Sequence, residues 1–370
     1  MLPSVGASQR ALEYGQQAAA MARRLGEEQL LPMILDGIIC ALQSPLDARQ
    51  RLAYANEMVE SSNATDPKAS IGGLLDRQVA MCFALWWRLY SALQLGDIAA
   101  AKEDLGCYNR WAEDSREPFL MCTVNHFHAC EASLEGRFAD FEHFAQEGLA
   151  TGQALEVENA AGIFGTQMFT LRREQGRLRE VEPLLRYFIR TPEGAHAWRP
   201  GLALIYAELG RPAEAEIEFD QLARRDFADV PQDSNWLVAM TYLADVCVIL
   251  GDSTNALTLY EKLLPYKHIN ILIGFGSCYG SASRYLGALA AIMGRWDEAE
   301  QHFDTALTMN RRIGARPWLA HTQYQYVRML LSRDHPGDSE KAGALTTEAL
   351  STACELGMVA LEQRITNGSP

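Results

Sequence analysis

The sequence of 370 residues has no run of lysines or arginines, no long apolar stretch and no C-x-x-C pair. Each absence removes a class of function. A net charge of −14 with no basic cluster argues against gripping a phosphate backbone or an anionic membrane surface, both of which need concentrated positive charge. The apolar stretches at residues 81–87 and 286–293 are too short to cross a bilayer. Met1-Leu2-Pro3-Ser4 shows no basic region followed by an apolar run, so no secretory signal is read there. The eight cysteines (Cys40, Cys82, Cys107, Cys122, Cys130, Cys247, Cys278 and Cys354) are scattered, as expected of reduced, mostly buried thiols in a cytoplasmic protein. Asn63-Ala64-Thr65 and Asn367-Gly368-Ser369 match the glycosylation pattern only by chance without a secretory route. Strand-like alternation is also missing, and the fold class expected is all α.

What the sequence does have is a repeat. Glycine turns fall at Gly96, Gly136, Gly176, Gly210, Gly251, Gly294 and, less cleanly, Gly337, spaced 40, 40, 34, 41, 43 and 43 residues apart. A fixed period of this length marks stacked supersecondary units. Five residues after the turn stand Ala101, Ala215, Ala256, Ala299 and Ala342; nine after it stand Leu105, Leu185, Phe219, Tyr260 and Phe303. These are positions of one face of a second helix, with small residues where two backbones cross and large ones between. Glycine supplies the left-handed stop of the first helix, Asp97 and Asp252 suit the start of the second, and Pro212 falls in its first turn. Gly26, Gly152, Gly314 and Gly357 are read as ends of second helices. After Gly136 and Gly176 the expected alanine is Phe141 and Val181, so those crossings must open or shift. Residues 45–70 lack a glycine turn, and Ser61-Ser62-Asn63-Ala64-Thr65-Asp66-Pro67 is the candidate long loop. Pro192-Glu193-Gly194 and residues 229–234 and 334–338 are further expected loops. Gly6 with Ala11 and Ala18 reads as the second half of a repeat, and residues 358–365 as the start of a new one.

The units Gly251-Asp252-x3-Ala256-x3-Tyr260 and Gly294-Arg295-Trp296-Asp297-Glu298-Ala299-x3-Phe303-x2-Ala306 resemble tetratricopeptide repeats lengthened to about forty residues, as in MalT-like regulators. Phrases such as Asn310-Arg311-Arg312-Ile313-Gly314-Ala315-Arg316-Pro317-Trp318 and Ala353-Cys354-Glu355-Leu356-Gly357-Met358 are similar to the C-terminal repeats of large bacterial signalling ATPases. Some of these are linked to class III nucleotide cyclases and some to LuxR-type DNA-binding domains. The resemblance implies a right-handed superhelix, an α-solenoid of about eight antiparallel helix pairs over residues 1–370, best formed over 72–356 and weaker over 44–70. It implies a piece of a longer multidomain protein and a sensor or scaffold role in signal transduction or transcription regulation. The array would receive a protein or peptide partner, or a small effector, and pass the signal to a neighbouring ATPase, cyclase or DNA-binding domain. The catalytic pieces of such proteins are not in this sequence: it has no G-x-x-x-x-G-K-[ST], no cyclase carboxylate pair and no basic helix-turn-helix. Gly274-Phe275-Gly276-Ser277-Cys278-Tyr279-Gly280 has the wrong spacing for a phosphate loop and no expected strand before it, so it is read as close helix packing.

In tetratricopeptide arrays the first helix of each pair lines the concave groove. Carrying that geometry over places Phe83, Trp86 and Tyr90 in the groove, then His126 and Cys130, then Thr166, Thr170, Arg173 and Glu174. Thr241, Asp245 and Arg284 follow, and, with Asp334 as the turn, His321, Tyr324 and Arg328. Arginine beside aromatic rings can hold a carboxylate or phosphate while stacking on a flat group; the competing reading is that these arginines pair with neighbouring acids. One version of the groove closes into an effector pocket around Trp86, Arg173, Arg284 and Tyr324, for an anionic or aromatic ligand. Cys122, His126 and Cys130 share one helical stripe, but i and i+8 lie about 12 Å apart along a helix, too far to hold one ion unaided. No metal or cofactor is expected, and no nucleophile–base grouping stands out. The expected protein is a non-enzymatic binding module, with an enzyme on a helical scaffold as the remote alternative.

Overall fold

The computed structural model describes residues 5–42, 44–64, 77–115, 117–157, 160–190, 192–274 and 276–368. The chain forms two compact units, Met1–Phe127 with Glu147–Val157 and His128–Gln146 with Glu158–Pro370, each described by itself. Its class is all α, with eighteen helices among the described residues and one small two-stranded sheet. None of the described helices is long and apolar enough to cross a membrane.

The first unit holds α1 (Val5–Leu25), α2 (Leu31–Ala41), α3 (Ala48–Ala64), α4 (Arg77–Leu95) and α5 (Ile98–Ser115), with parts of α6 (Pro118–Glu135) and α7 (Phe138–Ala154). Ala19, Leu31, Leu35, Ile38, Met58 and Ala84 make its core, and the buried Arg51 ties the α2–α3 link by donating to the carbonyls of Leu42 and Ser44. Gly6 lies inside α1 rather than at a turn. Ser61 to Ala64 form the last turn of α3, so the expected loop begins no earlier than Thr65; residues 65–67 lie outside the described set. Gly152 does not end α7, which continues to Ala154.

The second unit contains the rest of α6 and α7, then α8 (Ala160–Glu174), α9 (Glu182–Phe188), α10 (Pro192–Glu208), α11 (Pro212–Ala223), α12 (Trp236–Leu250), α13 (Ser253–Leu263), α14 (Ser283–Ile292), α15 (Trp296–Arg312), α16 (Arg316–Arg333), α17 (Asp338–Leu356) and α18 (Val359–Thr366). Every glycine expected as a turn has a positive φ, and Asp334 takes the same left-handed conformation at the end of α16. At Gly251 the stop is closed by hydrogen bonds from Asp252 N–H to the Cys247 carbonyl and from Gly251 N–H to the Val248 carbonyl. The Asp252 carboxylate then accepts from the N–H groups of Thr254 and Asn255 to start α13. The alanines five residues past each turn are all buried, and Gly287 presses its bare backbone onto the Phe303 ring. Pro192 to Gly194 open α10 instead of forming a loop.

The two departures from the alanine rule resolve differently. Phe141 is fully buried, because small Ala129 and Ala132 on α6 leave room for its ring against Met168 and Leu171. After Gly176 the expected second helix breaks: a 3-10 turn at Leu178–Glu180 is followed by α9, which has only 7 residues. This is also the shortest repeat.

The expectation of no strand is overturned. β1 (Asn270–Ile273) and β2 (Ser277–Ser281) form an antiparallel hairpin, so the glycine-rich segment is a hairpin turn preceded by a strand and not a helix crossing. Asn270-Ile271-Leu272-Ile273 favours a pleated, buried strand. Gly274, at φ 48°, allows the turn that Gly276 closes by donating to the Ile273 carbonyl. The hairpin sits inside the unit: the Trp318 indole donates to the Cys278 carbonyl at 2.6 Å, and Asn310 Oδ1 accepts from the Ser281 N–H. Residues far apart in sequence therefore meet here, as do α8 and α18, where Leu356 covers Gly136 and Val359 approaches Gly176. Repeats that touch only their neighbours do not describe this unit.

Gly280 and Gly294 have similar φ values of 68° and 71°. A Cβ on Gly280 would lie 2.6 Å from Asn310 Oδ1 and 2.7 Å from Trp318 Cβ, whereas one on Gly294 meets nothing. Gly294→Ala should cost roughly 1–2 kcal/mol from backbone strain alone, and Gly280→Ala roughly 2–5 kcal/mol because crowding is added. Urea unfolding midpoints of the two variants measure the difference, and equal losses would refute the packing.

Candidate functional site

The expected groove residues of the second unit lie on the first helices of successive pairs, and several of these meet. Arg173 on α8 donates to Asp245 on α12 at 2.7 Å and to Glu208 on α10 at 2.9 Å. Arg284 on α14 reaches the same Asp245 carboxylate at 3.3 Å, with its guanidinium 3.8 Å above the Tyr285 ring and 5.5 Å from that of Trp318. His321 on α16 bonds Glu174 on α8 at 2.9 Å, across 147 residues of sequence. Thr170 bonds the Tyr279 hydroxyl at 2.7 Å, and Tyr242 bonds it at 2.5 Å.

All these charges are buried, so their state depends on one another. Burial would raise the Asp245 carboxyl, but the guanidiniums of Arg284 and Arg173 outweigh it and hold it at about 2. Burial pushes His321 below its ordinary range, against the pull of the Glu174 carboxylate beside it. Glu174 stays low because His321 and Arg173 overcome the burial that would raise it. The space left beside Arg173, Asp245, Arg284, His321, Tyr324 and Arg328 is about 30 Å³. That is room for a water or two, and the effector pocket expected around Arg173, Arg284 and Tyr324 is filled by its own side chains. Here the pairing of arginines with acids prevails over anion binding. Thr241 turns back to the Val238 carbonyl.

Trp86, Tyr90 and His126 belong to the first unit. Trp86 packs with Phe83, Phe119 and Phe127, and Tyr90 meets Trp87 edge-on with Arg51 above its ring. His126 is buried against Gly148 and sits 3.7 Å from Cys122 Sγ. Desolvation lowers it to about 4 and raises Cys122, so the pair is an uncharged imidazole and a thiol rather than a nucleophile with its base.

A cavity that the groove geometry did not single out is also present. It lies in the second unit, has a volume of about 630 Å³, and is walled by α8, α9, α10, α12, β1 and the loop before α12. Phe164, Met168, Phe169, Leu185, Phe188, Trp198, Trp236 and Tyr242 form most of the wall; of the expected residues only Thr166 touches it. Its origin is the short repeat. With α9 reduced to 7 residues, the volume that a full second helix would fill stays open between α8, α10 and α12. The sequence signals were the 34-residue spacing and Val181 in place of alanine. Arg172, Glu142 and Glu180 lie on one side of the wall, already bonded together at 2.6 and 3.3 Å. Asp233 lies on the wall too, half-buried, with its carboxyl raised by burial against the hydrogen bonds it accepts from the backbone.

Asp245 gives the polar core a clear test. Asp245→Asn leaves the buried Arg284 without an acid and Arg173 with Glu208 alone, and should cost about 3–5 kcal/mol, read from urea unfolding at neutral pH. Because the folded value lies below the ordinary 3.8, the stability Asp245 gives is complete above that pH and is lost as pH falls toward about 2. The acid unfolding curve of the variant should lack that step.

No protein-family model matches this sequence, and no curated protein matches it.

Proposed function

We propose that this chain is a non-enzymatic, effector-sensing module of tetratricopeptide-like repeats in a bacterial signalling or transcription-regulatory protein, and that it takes a small apolar ligand in the cavity between α8, α9, α10 and α12. The observation that carries this reading is the cavity itself. Its volume of about 630 Å³ falls in the range of small-molecule sites, roughly 300–1,000 Å³, and its aromatic and aliphatic wall with a few polar groups matches their chemistry. The described residues of that wall include no serine, cysteine, histidine or lysine, the side chains that most often act as nucleophile or general base, which favours binding over turnover. The inner positions that a peptide would occupy in an open groove are bonded to one another in the second unit, which favours a compact ligand over an extended segment. The partner that reads the bound state would be an adjoining ATPase, cyclase or DNA-binding domain.

Gly165 lines the cavity, and a Cβ built there meets no atom within 4 Å. Gly165→Leu therefore starts from a Cβ with open space around it, takes up part of the cavity and removes a mid-helix glycine, the last change worth roughly 0.5–1 kcal/mol in favour of the fold. The neutral apolar dye N-phenyl-1-naphthylamine, followed by quenching of Trp198 and Trp236, should bind the wild-type chain saturably and the variant at least about tenfold more weakly, with an unchanged or higher melting temperature. Equal binding by a folded variant would rule out this cavity as the receptor.

A further inference from the structure

The cavity wall carries one charged group without a counter-ion. Asp233 accepts a hydrogen bond from the Asn235 N–H at 2.8 Å, and no cationic side chain among the described residues pairs with it. The other wall charges are matched: Arg172 bonds Glu142 and Glu180, and Arg177 adds a second guanidinium to Glu180 at 2.7 Å. Two guanidiniums thus face two carboxylates, and Asp233 is left over. The aromatic rings of the same wall supply the complementary surface. Phe188 and Trp198 stack with ring centres 5.0 Å apart, and Trp236 leans on Tyr266 at 5.7 Å. Ring faces are electron-rich and attract cations most strongly where water is excluded. An anion entering this space would meet an unpaired carboxylate, and a neutral ligand would leave that carboxylate desolvated without a partner.

We propose that the ligand of this cavity is a hydrophobic organic cation, a quaternary or protonated centre bearing aromatic or aliphatic groups, whose charge is matched by Asp233 and by the faces of Trp198 and Trp236. The proposal rests on the ligand-binding reading above and adds the sign of the ligand's charge. The chain's net charge of −14 favours cations too, so the assignment to Asp233 rests on the D233N variant and not on the sign of the ion alone.

Calorimetric titrations with tetraphenylphosphonium and tetraphenylborate, ions of the same shape and opposite charge, test it alongside the neutral dye. The wild-type chain should bind the phosphonium at least about tenfold more tightly than the borate. D233N should weaken phosphonium binding by roughly five- to tenfold while the neutral dye binds as tightly or more tightly, since asparagine carries no charge to desolvate and keeps a side-chain acceptor for the Asn235 N–H. E216Q, which removes an exposed charge of α11 outside the cavity, should change neither; melting temperatures check the folds. Borate binding as tight as phosphonium, or a phosphonium affinity untouched by D233N, with the dye still bound, overturns the cation proposal and leaves the ligand-binding reading standing. Failure of both dye and phosphonium to bind overturns the two together.

Discussion

One carboxylate held between two buried guanidiniums fixes the interior of the second unit. Asp245 receives Arg173 from α8 and Arg284 from α14, and all three are buried. Charges removed from solvent are tolerable only when geometry pairs them, so the three helices cannot separate without stranding a charge. The hairpin follows from the same demand: Tyr279 brings a hydroxyl to Thr170 and Tyr242, and the backbone of β2 satisfies Trp318 and Asn310. Polar groups at inner positions are used up in holding the wall together. The apolar space of about 630 Å³ lies beside them, where α9 is short.

Local grammar was legible in the sequence and long-range closure was not. The glycine turns, the asparticacid caps at Asp97 and Asp252, the proline opening α11 and the buried alanines five residues on all depend on residues within one turn of each other. Helical spacing placed Arg173, Asp245, Arg284 and His321 on the first helices of their pairs, and left open whether the arginines meet a ligand or neighbouring acids. It could not say how tightly successive pairs wind, which is what brings Arg173 onto Asp245 and Glu208. The hairpin was missed because the glycine-rich segment 274–280 was read as close helix packing, although the run Ile271-Leu272-Ile273 between polar and glycine residues is a strand signal.

The cavity stands between these cases. Its cause was visible, in the 34-residue spacing and the valine at position 181, yet its consequence needed the three-dimensional lengths of α8, α10 and α12 beside the 7-residue α9. Trp198 and Trp236 come from different repeats at unrelated register positions, and only the fold shows that they border the same space. A repeat rule predicts what recurs; the cavity lies where the recurrence fails.

That failure leaves the second unit unevenly stiff. A helix of barely two turns has almost no stability of its own and holds its shape only through contacts, and α9 turns Leu184 and Phe188 toward an apolar void on one side. Occupying the void would supply the missing contacts and lock this stretch, while the Arg173–Asp245–Arg284 side stays as it was. On the ligand-binding reading proposed above, order gained at α9 would be the change that occupancy makes, confined to a single short segment and leaving the buried ion pairs as they are.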